Sequence, residues 1–129
     1  MLDHIGFPVS DFERSKAFYN RALAPLGYGL VMEVTPAMTG GTESHAGFGL
    51  QSRPQFWIAS GTPLSGRLHV CFAANTRAQV DAFHVAALAA GGLDNGKPGL
   101  RPHYHANYYG AFVIDPDGHN IEAACHTPE

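Results

Sequence analysis

Apolar and polar residues alternate at the start of the chain and then recur at helical spacing, a pattern that predicts a strand followed by a helix. The strand spans Leu2 to Val9, with its apolar residues on one face and His4 on the other. The helix spans about Asp11 to Ala24, and Ser10 with Glu13 matches a capping box at its start. We expect the apolar faces of the two elements to pack together.

Three short strands are predicted after this helix, which gives a β-α-β-β-β module. They are Tyr28–Val34, Glu43–Leu50 and Gln55–Ser60, with a loop at Pro36–Thr42 between the first two. A Gly- and Pro-containing linker, residues 61–66, follows the last of them.

The rest of the chain repeats this module, because a shift of 65 positions superposes the first half on the second without a gap. The matching positions are His4 with His69, Phe7 with Phe72, Ala17 with Ala82, Phe18 with Phe83, Ala22-Leu23-Ala24 with Ala87-Leu88-Ala89, and Gly27 with Gly92. Each half is too small to form a comfortable core alone. We therefore predict one α+β domain over residues 1–129, with module one at 1–60 and module two at 67–129.

In the second module the pattern predicts a strand at Arg67–Ala74, a helix with a capping box that begins at Thr76, and a final hairpin. The hairpin strands are Tyr108–Ile114 and His119–Cys125, joined by an Asp-Pro-Asp-Gly turn. Residues 94–102 are rich in Gly and Pro, so the strand expected there is weak and is predicted to be mostly loop. The two aspartates of the turn are expected to bond their own backbone.

Composition excludes two classes of partner. The 8 Lys and Arg residues are scattered and the net charge is −3, so there is no basic stripe for nucleic acid. Apolar runs are far shorter than the roughly 20 residues of a membrane span, and no signal-peptide pattern opens the sequence, so we expect a cytoplasmic protein without a membrane partner. Cys71 and Cys125 are expected to be reduced thiols.

Three polar residues are predicted to share the sheet face that points away from the helices. Alternation places His4 and His69 there, and it turns Glu122 to the same face because Ile121 and Ala123 belong on the helix side. Two imidazoles and one carboxylate form a facial triad that leaves open positions on a divalent metal. The sequence therefore predicts a catalytic type of metal site, for which zinc, nickel, manganese and iron all remain candidates.

A histidine- and tyrosine-rich segment before the hairpin is the predicted substrate rim. His105 and Tyr108 are candidate catalytic residues because both side chains can donate and accept hydrogen bonds. His103 and Tyr109 are candidate substrate-binding residues. The alternative is an exposed aromatic loop. The remaining histidines are expected to be surface or packing residues: His45, His84, His119 and His126.

Three stretches resemble the vicinal oxygen chelate superfamily, which includes glyoxalase I, fosfomycin-resistance enzymes, bleomycin-binding proteins and extradiol dioxygenases. They read LDHIGFPVSDFERSKAFYNRAL, RLHVCFAA and FVIDPDGHNIEAA, and together they cover nearly the whole chain. The resemblance implies paired βαβββ modules that curl into a cup around a metal, with His4, His69 and Glu122 as its ligands. It also implies a homodimer with the site at the interface between chains.

One position departs from glyoxalase I. The 65-residue shift places Trp57 where that enzyme carries a second glutamate. Its reaction needs a carboxylate base to move a proton, so authentic glyoxalase I activity is not expected. Trp57 is instead predicted to be a substrate-binding wall of the pocket, although ordinary packing explains it equally well. Fosfomycin chemistry is poorly supported, because no Lys or Arg follows Arg101 to bind a phosphonate.

Two functions remain. The first is a metal-dependent lyase, isomerase or extradiol-type dioxygenase, in which the metal acts as Lewis acid on a small substrate with vicinal oxygens. Whether a thiol cosubstrate takes part is open. The second is a non-enzymatic binding protein of the bleomycin-resistance type, favoured by Trp57 and the tyrosines but not by the predicted metal ligands.

Overall fold

The computed structural model describes all 129 residues as two four-stranded mixed sheets with three helices. The first module contains β1 (Ile5–Val9), α1 (Phe12–Ala22), β2 (Gly29–Val34), the single turn α2 (Pro36–Thr39), β3 (His45–Leu50) and β4 (Arg53–Ser60). The second contains β5 (His69–Ala73), α3 (Arg77–Ala89), β6 (Leu93–Leu100), β7 (Tyr109–Ile114) and β8 (Asn120–Cys125). None of the helices combines the length and apolar character needed to cross a membrane.

The two sheets have the same topology, which confirms the predicted repeat. Their strand orders are β1-β4-β3-β2 and β5-β8-β7-β6. In the first sheet β1 pairs in parallel with β4, and in the second sheet β5 pairs in parallel with β8. All other strand pairs are antiparallel. The predicted α+β fold of two similar modules is therefore confirmed.

Helix α1 begins one residue later than the sequence indicates. Asp11 is its N-cap and accepts a hydrogen bond from the amide of Arg14, so the predicted Ser10–Glu13 capping box is wrong. The reason is tertiary: the hydroxyl and the amide of Ser10 both donate to the carboxylate of Asp117 in the second module. The capping box predicted at Thr76 is confirmed, with Gln79 as its partner.

The weakly predicted strand β6 does form, over Leu93–Leu100, which corrects the expectation of mostly loop. It is an edge strand, where a proline such as Pro98 is tolerated because one side makes no ladder bonds. Its pairing with β7 shifts register on both sides of Gly96, whose φ of +155° few other residues adopt. Bulges at glycine therefore allow this segment to remain paired.

The two modules share one hydrophobic core of 20 buried residues that lies between the sheets and the helices. At their junction the rings of Phe56 and Phe72 meet edge to face at 5.2 Å. Polar contacts also cross the junction: the buried hydroxyl of Tyr19 on α1 donates to Asp115 in the β7–β8 turn. Asp115 additionally accepts from two backbone amides of its own turn, as predicted. The same prediction is wrong for Asp117, whose carboxylate accepts from Ser10 of the first module.

Candidate functional site

Strand alternation places three polar side chains on the face of the second sheet that points away from the core. They are His69 and Cys71 on β5 and Glu122 on β8, and the parallel register sets Cys71 directly opposite Glu122. Their chain neighbours Phe72 and Ile121 point into the core. The predicted face of His69 and Glu122 is therefore confirmed, and we call it the concave face of the second sheet.

The carboxylate of Glu122 is the centre of this cluster. Its side chain is only 2% exposed, and its Oε2 lies 2.8 Å from Nε2 of His69. The hydroxyl of Tyr108 donates to its other oxygen, Oε1. Gly110 leaves the space that this arrangement needs, because a Cβ there would lie 3.1 Å from both Oε1 and the Tyr108 ring. Glu122 is thus held by two partners that carry no fixed positive charge.

The Cys71 thiol and the Tyr108 hydroxyl beside Glu122 keep their protons at neutral pH. Burial of the sulfur, followed by the Glu122 carboxylate, raises the pKa of the Cys71 thiol to about 12, although the residue as a whole is exposed. Burial and then the hydrogen bond to Glu122 raise the pKa of Tyr108. Both side chains therefore act as hydrogen-bond donors near Glu122 rather than as bases or nucleophiles.

His4 lies just before β1 and is oriented by a carboxylate. Its Nδ1 is 2.8 Å from Oδ1 of Asp3, whose other oxygen is 2.8 Å from Nη2 of Arg53. The bond with His4, followed by that with Arg53, lowers the pKa of Asp3. A carboxylate on one ring nitrogen leaves the other, Nε2, available as a ligand, which is a common arrangement around protein-bound metals.

One chain brings together two of the three predicted ligands. His69 and Glu122 contact each other, but no three His, Cys, Asp or Glu side chains are grouped closely enough to hold a metal ion. His4 borders the same cleft as His69, a space of about 460 Å³. The metal site therefore stays a prediction. A single chain brings two of its three predicted ligands into contact.

These residues are chemically suited to a divalent metal. Imidazole nitrogen and carboxylate oxygen suit the first-row metals named above. Nε2 of His69 and Oε2 of Glu122 lie 2.8 Å apart, which is close enough for one ion to reach both atoms. The outer contacts of Tyr108 with Glu122 and of Asp3 with His4 are of the kind that orients metal ligands. His4, His69 and Glu122 would hold the ion.

Trp57 lies on the corresponding concave face of the first sheet. It lines a shallow cavity of about 540 Å³ with His4, Gly6, Val34 and His45. In the parallel register Trp57 pairs with Gly6, just as Glu122 pairs with Cys71 in the second sheet. The predicted equivalence of Trp57 and Glu122 is therefore confirmed.

The histidine- and tyrosine-rich segment divides between two surfaces. Tyr108 reaches Glu122, and the ring of His105 lies 5.4 Å from the Tyr108 ring, between centroids. His103 is exposed and packs against Tyr104. Tyr109 points to the helix side, where its hydroxyl donates to Asp81 of α3 at 2.7 Å. This placement does not support the predicted substrate contact of Tyr109, because adjacent strand residues point to opposite faces.

The sequence interpretation missed several neighbours of the site. His126, expected to be a surface or packing residue, has its Nδ1 2.7 Å from Nε2 of His105. The alternation of apolar and polar residues did not single out Asp3 or Gly110 as neighbours of the site. The position of Asp3 next to His4 in the sequence could have indicated that it contacts this ring. His119 is fully buried and its Nδ1 accepts from the backbone amide of Leu68, so it is a packing residue as expected.

The chain is similar to known proteins over nearly its whole length. The family model described as Glyoxalase/Bleomycin resistance protein/Dioxygenase superfamily matches residues 1–123. A crystal structure of a glyoxalase/bleomycin resistance protein from Albidiferax ferrireducens T118 is 30% identical, with a TM-score of 0.76, over 96% of this chain and 97% of that chain. A comparison with curated proteins finds no match.

Two other solved structures share the fold at lower identity. A glyoxylase/bleomycin resistance protein/dioxygenase domain from Frankia sp. EAN1pec is 16% identical, with a TM-score of 0.72, over 98% of both chains. Glyoxalase I from Zea mays is 22% identical, with a TM-score of 0.70, over 95% of this chain but 45% of that chain. The family match and the structure at 30% identity show that the chain belongs to the glyoxalase/bleomycin resistance protein/dioxygenase superfamily.

Proposed function

We propose that this protein is a divalent-metal enzyme that acts on a small substrate through two adjacent oxygen atoms. The observation that carries the proposal is the buried carboxylate of Glu122, which faces Nε2 of His69 at 2.8 Å. A buried carboxylate is costly unless it is paired with a positive charge or coordinates a metal. No Lys or Arg is paired with Glu122, so a divalent ion held by both side chains would offset this cost.

The side chains around Glu122 have separate tasks in this proposal. When bound, the ion supplies Lewis-acid polarisation to the paired oxygens of the substrate. Tyr108 fixes the direction of the Glu122 carboxylate through its hydroxyl and retains its proton because its pKa is raised. His105 packs on the Tyr108 ring and is hydrogen-bonded at both ring nitrogens, to the amide of Asn107 and to His126, so its task is to position Tyr108.

We also propose that two copies of the chain share each site. His4 does not join His69 and Glu122 within one chain, although every chain carries both halves. In a two-fold dimer the contacts come in pairs, so the first sheet of each copy can face the second sheet of the other. His4 of one copy would then complete the pair formed by His69 and Glu122 of its partner.

Metal content tests the first proposal. Purified protein equilibrated with zinc should hold about one ion per chain, measured by elemental analysis and calorimetry, because the donor set has intermediate softness. The variants His69→Ala and Glu122→Ala should lose tight binding. His103→Ala, which removes an exposed imidazole from the same region, is the matched control and should retain it. Stoichiometric zinc in both ligand variants would refute the assignment.

Mixed variants test the shared site. Neither His4→Ala nor Glu122→Ala should bind zinc tightly alone. Random reassortment makes half of the dimers mixed, with one intact site of two, so about a quarter of an ion per chain should return. A metal-loaded protein that sediments as a monomer, or a mixture that recovers no zinc, would contradict the shared site.

Authentic glyoxalase I activity is not part of the proposal. Trp57 occupies the register position equivalent to Glu122, and an indole cannot take the proton that a general base must move. General-base catalysis is worth roughly 10²–10⁴ in rate. Methylglyoxal–glutathione hemithioacetal should therefore turn over poorly with zinc-, nickel- or cobalt-loaded protein, and Trp57→Glu should be the faster variant. Wild-type turnover typical of a dedicated glyoxalase would overturn this point.

A binding protein without catalysis is the second candidate, and the partly exposed aromatic side chains of Trp57 and Tyr108 favour it. The two candidates differ in what the zinc ligands do. In a binding protein, Glu122→Ala should leave ligand affinity unchanged, because a sequestering cup needs no metal. In the enzyme, the same variant should lose affinity for any ligand that chelates through two oxygens.

A further inference from the structure

Two imidazoles join the loop between β6 and β7, residues 101–108, to the end of β8. Nε2 of His105 in this loop lies 2.7 Å from Nδ1 of His126, which follows the last residue of β8. The two rings are stacked at an angle of 29° with their centroids 4.9 Å apart. A backbone hydrogen bond from Arg101 to Tyr108 closes the base of the loop. The histidine pair therefore attaches the part of the loop that lies beyond this base.

Only one arrangement of protons on the two neutral rings is compatible with their hydrogen bonds. Nδ1 of His105 accepts from the backbone amide of Asn107 at 3.1 Å, so Nε2 of the neutral ring carries the proton. This proton points to Nδ1 of His126, which has to be bare in order to accept it. Each ring therefore has one bare nitrogen, and both bare nitrogens are already hydrogen-bond acceptors.

Every proton that the pair takes up removes one of these two bonds. A proton on Nδ1 of His105 displaces the amide of Asn107, and a proton on Nδ1 of His126 sets two N–H groups against each other. When both rings are protonated, no acceptor nitrogen remains and two positive charges lie in one stack. Imidazoles ordinarily change charge at about pH 6.5, so mild acid weakens this contact.

No carboxylate pairs with either ring of the histidine pair. The histidines of the chain that do form ion pairs are His4, His45, His69 and His84. Two carboxylates are near His126 along the chain, and both are engaged elsewhere. Glu129 accepts from the backbone amide of Arg77 and faces its guanidinium. Glu122 contacts His69 and Tyr108. Added charge on the pair is therefore not neutralised by an acidic neighbour.

The other titratable groups beside the pair belong to the same loop. The ring of Tyr108 lies at steep angles to both imidazoles, with its centroid 5.4 Å from that of His105 and 5.0 Å from that of His126. Tyr104 packs on Tyr108, and His103 packs on Tyr104. Phenols stay neutral where imidazoles titrate, and a protonated His103 adds positive charge. Acid therefore brings only charges of one sign to this loop.

We propose that His105 and His126 form a proton-sensitive latch, which holds the loop in place at neutral pH and releases it in mild acid. Tyr108 connects the latch to Glu122, because its ring lies against both imidazoles and its hydroxyl donates to that carboxylate. Release of the loop frees Glu122 from the hydroxyl that orients it. The latch itself requires no metal, whereas its effect on zinc binding rests on the function proposed above.

Hydrogen–deuterium exchange of the metal-free protein at pH 7.5 and pH 5.5 tests the latch, after correction for the intrinsic exchange rate at each pH. The loop amides that are hydrogen-bonded in the closed form are those of Arg101, Tyr104, Asn107 and Tyr108. A peptide that covers residues 101–108 should exchange about threefold to tenfold faster at pH 5.5, as expected for the loss of about one hydrogen bond. Peptides from the buried strand β3 should show no such change.

Two variants of His126 separate the latch from a general effect of acid. His126→Asn supplies an amide oxygen that accepts from His105 whether or not His105 is protonated, so most of the pH dependence should disappear. His126→Ala should exchange rapidly at both pH values. His103→Asn removes an imidazole of the same loop that lies outside the pair, and this matched control should behave as wild type. Circular dichroism checks that each variant is folded.

Equal exchange of the wild-type loop at the two pH values overturns the latch. An equal acceleration in wild type and His126→Asn also overturns it, because acid then acts at another group. So does wild-type protection of the loop in His126→Ala at pH 7.5, because His126 then does not hold the loop.

Zinc titration at pH 7.5 tests the connection from the latch to Glu122 with the proton concentration held constant. His126→Ala should bind zinc on the order of tenfold more weakly than His126→Asn, since only the alanine variant releases the hydroxyl that orients the carboxylate. Equal zinc affinity in the two variants overturns this connection. A wild-type protein that binds no zinc refutes the metal enzyme, and the exchange experiment then decides on the latch alone.

Discussion

Replacing Tyr19 by phenylalanine removes a single hydroxyl from the junction between the two modules. That hydroxyl donates to Asp115 across the interface between α1 and the β7–β8 turn, and Tyr19 is 0% and Asp115 4% exposed. A hydrogen bond to a charged group contributes about 1.5–3 kcal/mol. Asp115 keeps two amide donors in the variant, at 3.0 and 2.8 Å. We therefore expect the free energy of unfolding to fall by about 2 kcal/mol.

Urea and thermal unfolding at a fixed protein concentration measure this change. For a chain of this length about 2 kcal/mol corresponds to a Tm lower by roughly 6–8 °C. Tyr109→Phe is the matched control, because its hydroxyl also bonds a carboxylate, Asp81, but at an exposed position. Exposed polar pairs contribute about 0–1 kcal/mol. Equal stability losses in the two variants would refute the reasoning from burial.

The pH dependence gives an independent check of the same bond. Burial first, and then the Asp115 charge, raise the pKa of Tyr19 well above its ordinary value of 10.0. A raised pKa in the folded state means that the stabilisation is complete below pH 10 and is lost as the pH rises further, where only the unfolded chain ionises. The stability difference between wild type and Tyr19→Phe should be constant from pH 7 to 9 and shrink above about pH 10. A difference that grows with pH in this range would contradict the assignment.

Three further predictions concern the concave faces. Gly110→Ala should lower zinc affinity on the order of tenfold by calorimetry, because its Cβ would lie 3.1 Å from Oε1 of Glu122. Asp3→Asn should lower zinc affinity about 10–100-fold and change the His4 tautomer seen by nitrogen NMR, since it weakens the bond at Nδ1. In metal-free protein, Cys71 should react with iodoacetamide at pH 8 far more slowly than a free thiol, because its pKa is raised to about 12.

Each of these predictions has its own control. Gly29→Ala adds a Cβ in open space, so an equal loss of zinc affinity there would contradict the steric argument for Gly110. Arg53→Gln removes only the outer partner of Asp3 and should have the smaller effect. Glu122→Gln should speed alkylation of Cys71, since it removes a charge that helps to raise the thiol pKa. An unchanged rate would refute that cause.

Most of the fold could be predicted because its signals are local and occur twice. Alternation around His4 and His69 assigned the strand faces, and the capping box at Thr76 located the start of α3. The failures have non-local causes. Ser10 is an ordinary capping residue, but Asp117, more than a hundred positions away, takes both of its donors. Strand β6 depends on pairing with β7 and on bulges at Gly96, which no local pattern of residues 94–102 reveals.

The part of the candidate site that depends on local strand alternation could also be predicted, and the part that depends on tertiary arrangement could not. The alternation of side chains along β5 and β8 was enough to predict that His69 and Glu122 share one face, where their side chains meet. The position of His4 relative to them depends on how the two sheets are arranged, and sequence periodicity carries no information on that arrangement. Tyr108 and Tyr109 show the same limit at shorter range. The hydroxyl of Tyr108 reaches Glu122, and that of Tyr109 reaches Asp81. Strand β7 begins at Tyr109, and this start decides which of the two rings lies on the face of Glu122.

The two modules keep the same backbone and divide the chemistry between them. At one pair of equivalent positions the second module has Glu122 beside Cys71, and the first has Trp57 beside Gly6. A carboxylate needs small neighbours and hydrogen-bond donors, which Gly110 and Tyr108 supply, whereas an indole needs open backbone beneath it. The asymmetry leaves the carboxylate and its hydrogen-bond donors on one face only, so neither half of the repeat alone supplies all three ligands of the proposed metal site.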